Sequence, residues 1–131
     1  MRKIFISLLI LGSCGHLSAQ DGIWVPPASA DTLINPLKSQ IGSALKGGIL
    51  YQKLCAACHG EKGLGDGIAG LYLSPRPADH TSARIKNLSD GAIFWMITEG
   101  RGAMPSQKST LTDDERWQLV MYIRQLGNTH K

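Results

Sequence analysis

The chain has 131 residues, a net charge of +4 and three cysteines. That length allows one compact domain and no more. The weak positive charge is spread evenly, with no basic cluster, which excludes a nucleic-acid interface.

In chain order, Met1, Arg2 and Lys3 precede an apolar run from Ile4 to Leu11 and then small residues, the n-region and h-region order of a secretory signal. The run is far shorter than the ~20 residues that span a bilayer, so a signal is predicted and not a membrane helix. Two cleavage readings compete. Cleavage after Ala19 in "HLSAQ" removes residues 1–19, lowers the net charge to +2 and leaves 112 residues. The alternative is "LGSC" (11–14), which resembles the lipobox of bacterial lipoproteins; residues 1–13 then leave and Cys14 becomes a lipidated first residue. Both readings put the mature domain in the periplasm, either soluble or lipid-anchored at the membrane.

Residues 20–45 carry Pro26, Pro27 and Pro36 among small and polar residues. They read as an extended leader or linker, either a flexible spacer or a strip that packs through Trp24, Leu33, Ile34 and Leu37. The domain proper is expected over 46–127, with a short tail at 128–131. Its first helix is expected from Lys46 to Gly60, "KGGILYQKLCAACHG". Gly47 and Gly48 inside it each cost ~1 kcal/mol relative to alanine, which points to close approach of another helix. A second helix is expected over 88–100, with Ser89 or Asp90 as its cap, and is apolar all round from Ile93 to Ile97. The third, over 112–127, carries a capping box in Thr112 and Glu115 and a glycine stop at Gly127. No segment alternates with period two. The predicted class is all-α, about three helices and long loops.

No helix is predicted over residues 60–87, and a loop so long in a small domain needs something to wrap around. A bound cofactor would complete the core. The stretch "CAACHGEKGLGDG" (55–67) indicates which one. A disulfide between Cys55 and Cys58 closes too small a loop to stabilise much. A thioredoxin-like pair belongs near a βαβ pattern, which is lacking. A zinc site needs a fourth ligand with suitable spacing, and His80 and His130 are isolated. "GDGIAG" (65–70) satisfies the dinucleotide fingerprint but follows no strand. On a helix, Cys55, Cys58 and His59 share one face, and C-x-x-C-H is the c-type haem attachment signature. The second axial ligand is sought among the methionines and His80. Met96 and Met121 fall inside apolar helices and are read as core. Met104 sits in "EGRGAMPSQ" (99–107), an irregular segment freed by Gly100 and Gly102 and stiffened by Pro105, and is preferred as ligand, with His80 the main rival.

With "GGILYQKLCAACHG", "LSPRPADH" (73–80), "GRGAMP" (100–105) and "WQLVMYIRQLG" in place, the chain resembles a bacterial, exported class I single-haem c-type cytochrome over roughly residues 46–127. The resemblance implies one covalent haem c, thioethers at Cys55 and Cys58, iron ligation by His59 and Met104, and a cytochrome c-like fold. It also implies that the first and last helices cross with Gly47 and Tyr51 against Leu119 and Tyr122. A proline carbonyl, from Pro75 or Pro77, is expected to orient His59, while Arg76, Arg101 and Trp95 are candidates for the haem propionates. The implied function is single-electron transfer between periplasmic or membrane-bound redox partners such as a dehydrogenase, an oxidase or a quinol-oxidising complex, without catalysis of its own. The alternatives are a tethered haem subunit of such a membrane complex and a haem enzyme or gas sensor with a labile distal ligand.

Overall fold

The computed structural model describes residues 22–129. The signal segment, the Cys14 and Ala19 cleavage readings and the last two tail residues lie outside them. The described residues form five α-helices: α1 (Ser43–Leu54), α2 (Ala56–His59), α3 (Ala83–Asn87), α4 (Asp90–Glu99) and α5 (Asp113–Thr129). Two 3-10 turns, Ala28–Thr32 and Ile68–Tyr72, complete the regular structure. The all-α expectation holds; two short helices add to the three predicted.

The frame is the crossing of α1 and α5. A Cβ on Gly47 would lie 1.9 Å from the Gln118 carbonyl oxygen, so only glycine admits α5 at this distance. The cost of a glycine inside a helix is thereby offset by packing. Tyr51 is fully buried and its ring tilts against Tyr122 at 5.1 Å, next to buried Leu119 and Val120. The pairing implied by the resemblance is thus present. Helix α4 closes the core: seven of its ten residues are buried, and Phe94 stacks on Trp117 at 4.0 Å.

Local chemistry sets the ends of these helices. Ser89 caps α4 by accepting from Ala92 N–H at 3.0 Å. At α5 the predicted capping box forms in both directions: Thr112 N–H donates to Glu115 at 2.8 Å and Glu115 N–H donates to Thr112 Oγ1 at 3.2 Å. Three boundaries differ from expectation. The first helix starts at Ser43 and breaks at Cys55, where φ is −115°, so it becomes α1 and α2. Helix α5 runs through Gly127 to Thr129, because Gly127 is buried against Lys86 and leaves the helix nothing to stop for. Helix α3 lies in the region expected to be loop and is started by Ser82, whose side chain accepts from Ile85 N–H.

The leader is docked. Ala30 and Leu37 are buried, whereas Leu33 and Ile34 remain exposed. The 3-10 turn presses on α4 so closely that a Cβ on Gly91 would meet the Ala30 carbonyl at 2.1 Å. Asn35 donates to Asp90 at 2.9 Å and to Met121 Sδ at 3.3 Å, and Asp90 in turn pairs with Arg124 at 2.7 Å. Trp24 meets Trp95 edge to face at 6.1 Å.

Candidate functional site

Helix α2 and the Cys55 at its N-cap carry three reactive side chains in five residues. The turn is held by Cys58 N–H and His59 N–H, which both donate to the Cys55 carbonyl at 3.1 and 2.9 Å. Cys55 and Cys58 are free, half-buried thiols. Burial, and then the neighbouring Cys58, push the Cys55 thiol up to about 11. It is therefore a protonated thiol at neutral pH. A reactive redox pair needs the opposite shift, a depressed thiol beside positive charge. Among the described residues no three His, Cys, Asp or Glu side chains converge on a metal position, so the zinc reading finds no support either.

His59 ends α2, and its Nδ1 lies 3.0 Å from the Ala78 carbonyl oxygen. A carbonyl only accepts, so the proton resides on Nδ1 and the Nε2 lone pair is left for a ligand. Burial lowers the proton affinity of His59, against the opposing hydrogen bond to Ala78, which keeps the ring neutral. The orienting carbonyl is that of Ala78, one residue after Pro77, and neither Pro75 nor Pro77 itself. The chain reaches this point through a tight return: Gly65 N–H donates to the His59 carbonyl at 2.8 Å and His80 N–H to the Gly63 carbonyl at 2.7 Å. The glycines after the motif do provide the turn, with φ of 82°, 76° and 74° at Gly60, Gly63 and Gly65. Gly70 belongs to the packing instead, since a Cβ there would lie 2.4 Å from the Cys58 carbonyl. "GDGIAG" thus faces carbonyl oxygens of α2, an environment unsuited to phosphate.

His80 is buried, and desolvation, with His59 as the next cause, pushes its imidazolium down to about 3. Its ring stacks on that of His59 with centroids 4.3 Å apart and planes 20° from parallel. Two imidazoles coordinating one metal from opposite sides point their edges at each other across it. Face-to-face stacking instead puts His80 beside His59 and not across from it.

Met104 closes a two-residue turn in which Arg101 and Met104 exchange backbone hydrogen bonds at 2.9 and 3.0 Å. Gly100 and Gly102 have φ of 66° and 58°, the backbone freedom foreseen for this loop. The loop is pinned to the end of α4 by Ser106 Oγ donating to the Thr98 carbonyl at 2.6 Å and Gln107 N–H donating to the Ile97 carbonyl at 3.1 Å. Met104 is partly buried against the core, whereas Met96 is a core residue of α4 and Met121 is engaged by Asn35. Of the three propionate candidates, Arg76 is exposed, Arg101 donates to the Gly22 carbonyl at 3.2 Å, and Trp95 holds Trp24.

The residues present fit a covalent haem. Two free thiols precede an imidazole whose free nitrogen is fixed by its tautomer. The chain on either side of α2 carries the exposed apolar side chains Leu54, Leu64, Ile68 and Leu71, the kind of residue a porphyrin would cover. Sequence reasoning missed Ala78, the stacking of His80 and the Tyr51 hydroxyl. The first follows a proline in the right loop, but nothing local marks the other two.

The sequence model of the family described as cytochrome c oxidase, cbb3-type, subunit III matches residues 42–123. The chain is 30% identical over 95 residues to the cbb3-type cytochrome c oxidase subunit CcoP of Azospirillum brasilense, which covers 72% of this chain and 32% of that protein. It is 34% identical over 80 residues to cytochrome c6 of Leptolyngbya boryana, covering 61% of this chain and 88% of that one. Among solved structures, a chain of a reducing HAO-like protein complex of Kuenenia stuttgartiensis superposes with a TM-score of 0.61 at 33% identity, over 70% of this chain and 46% of that one. The chain spans about a third of the length of its CcoP relatives.

Proposed function

Because the chain belongs to the family of cytochrome c oxidase, cbb3-type, subunit III, we propose that it is an electron-transfer protein holding one haem c. Cys55 and Cys58 would hold the haem covalently as two thioethers. His59 would ligate the iron through Nε2, since Nδ1 is engaged by Ala78, and Met104 would do so through its thioether sulfur. When bound, the haem supplies a one-electron iron couple, and an imidazole–thioether pair favours the ferrous form. With His59 and Met104 as its ligands the haem would offer no site for substrate, which makes electron transfer the activity. The single observation that carries this reading is His59 Nδ1 held at 3.0 Å by the Ala78 carbonyl beside two free thiols.

A second reading is favoured by the relatives' names: a tethered subunit that passes electrons into or out of a membrane redox complex, as part of an assembly larger than this chain. None of the described helices is long and apolar enough to cross a membrane, so such a tether would come from lipidated Cys14. The leader, docked on α4, would then lie between tether and domain. Partners in either case are redox proteins, and the location is the periplasm or its membrane face.

Intact-mass analysis of the mature protein tests the proposal. It predicts the mass of one haem added and a single one-electron wave in a redox titration; a mass without haem, or with two, contradicts it. Retention at the membrane that disappears in Cys14→Ala supports the tethered reading, and a soluble chain beginning at Gln20 sinks it. Rapid binding of carbon monoxide to the reduced form would favour a sensor or enzyme instead.

A further inference from the structure

His59 is held from two directions, and the haem ligation proposed above uses only one of them. The Ala78 carbonyl fixes the Nδ1 end of the ring but permits rotation about the line through the ring nitrogens. The face of the ring is blocked by His80, stacked at 4.3 Å and 20°. His80 is itself fixed: its Nδ1 lies 3.2 Å from the Tyr51 hydroxyl, and its ring meets that of Tyr51 edge to face at 5.7 Å. The Tyr51 hydroxyl also lies 3.2 Å from the Gly60 carbonyl oxygen. One arrangement satisfies both contacts: Tyr51 O–H donates to Gly60, and His80 Nδ1–H donates to Tyr51. Tyr51 is fully buried at the α1–α5 crossing, so the chain of contacts ends inside the packed core. If the position served only to fill space, a leucine would do so without a buried imidazole that needs a partner.

We propose that Tyr51 and His80 are positioning residues that set the rotational angle of the His59 imidazole as an axial ligand, and with it the magnetic anisotropy and reduction potential of the iron. The inference rests on the reading of His59 as ligand. Its physical basis is that an imidazole donates π density perpendicular to its own plane, so the ring angle selects which iron d orbital is raised. Partners of this outer kind commonly orient a metal-bound histidine and tune the metal.

The test is electron paramagnetic resonance and redox titration of the oxidised holoprotein, in the wild type and in Tyr51→Phe, His80→Phe and His80→Leu. His80→Leu, which removes the stack, is expected to move the largest g value, broaden its line and shift the potential. Tyr51→Phe, which frees His80 but keeps it stacked, is expected to do so less. His80→Phe restores an aromatic face and is expected to fall nearer the wild type than His80→Leu. A merely structural role would lower thermal stability without moving g. Wild-type g values and potential in every variant that carries haem overturn the proposal, as do indistinguishable phenylalanine and leucine variants. Failure of the ligation reading is detected separately: nitrogen-15 resonance of histidine-labelled wild-type protein must show paramagnetically shifted His59 ring nitrogens, and ordinary shifts there refute that reading instead.

Discussion

One backbone carbonyl, from Ala78, decides the tautomer of His59, and it comes from 19 residues along the chain. The cysteine and histidine spacing was legible because a single turn of helix fixes it, whereas Ala78, His80 and Tyr51 meet only after a loop of more than fifteen residues has closed. The two thiols act alike, which gives a direct expectation: haem should survive acid–acetone extraction in Cys55→Ala and in Cys58→Ala, and be extracted from the double variant, as read by absorbance of the precipitated protein. Asp90 carries the clearest pH dependence. Burial raises its proton affinity, but hydrogen bonds from Asn35 and Arg124 and the positive charges of Arg124 and Lys38 outweigh burial and lower it overall. A carboxyl lowered in the fold contributes stability above its unfolded value, and that contribution is lost as pH falls through the folded one. Acid unfolding should therefore show an Asp90 component, and Asp90→Asn should remove it while costing on the order of 1–2 kcal/mol at neutral pH. Equal pH dependence in both proteins, measured by denaturant titration, would contradict this.

At the scale of elements, α5 and α4 were visible because their start signals are contiguous: Thr112 with Glu115, and Ser89 before Asp90. Helix α3 was not, since five residues cannot display a period and only Ile85 of them is buried. Gly127 misled because glycine at the end of a periodic run usually stops a helix, and here it is a small residue in a helix that continues. The mid-helix glycines of α1 carry opposite expectations. Gly47→Ala places a Cβ against a carbonyl of α5 at 1.9 Å, which forces the helices apart and should cost at least about 1–3 kcal/mol. At Gly48 the nearest neighbour is the Tyr122 ring at 3.0 Å, a side chain that can turn aside, and alanine returns up to ~1 kcal/mol of helix propensity. Denaturation midpoints should separate the two clearly, and equal midpoints would refute the crossing as the reason for Gly47.

Over the whole molecule, the leader belongs to the fold. Its proline content reads as extended chain, but docking depends on partners distant in sequence: Ala30 on Gly91, Asn35 on Asp90 and Met121, Trp24 on Trp95, and the Gly22 carbonyl on Arg101. Of the residues read as able to pack, Trp24 and Leu37 do so and Leu33 and Ile34 stay exposed, but no local pattern names their distant partners. The leader thereby ties the region before α1 to α4 and to Arg101, the residue that pairs with Met104 across its turn. Burying Leu37 alone stabilises by about 1.5–3 kcal/mol, so a holoprotein beginning at Ile41 should melt several degrees below one beginning at Gln20. Equal melting temperatures would mean that the leader is a spacer.

Electron transfer by this chain depends on iron held between His59 and Met104. Near-infrared absorption of the oxidised protein addresses this directly, because a thioether–iron bond gives a weak charge-transfer band there. The band is predicted in the wild type and is predicted to vanish in Met104→Ala, with haem still covalently attached. Absence of the band from the wild type, or its persistence in Met104→Ala, would contradict the account.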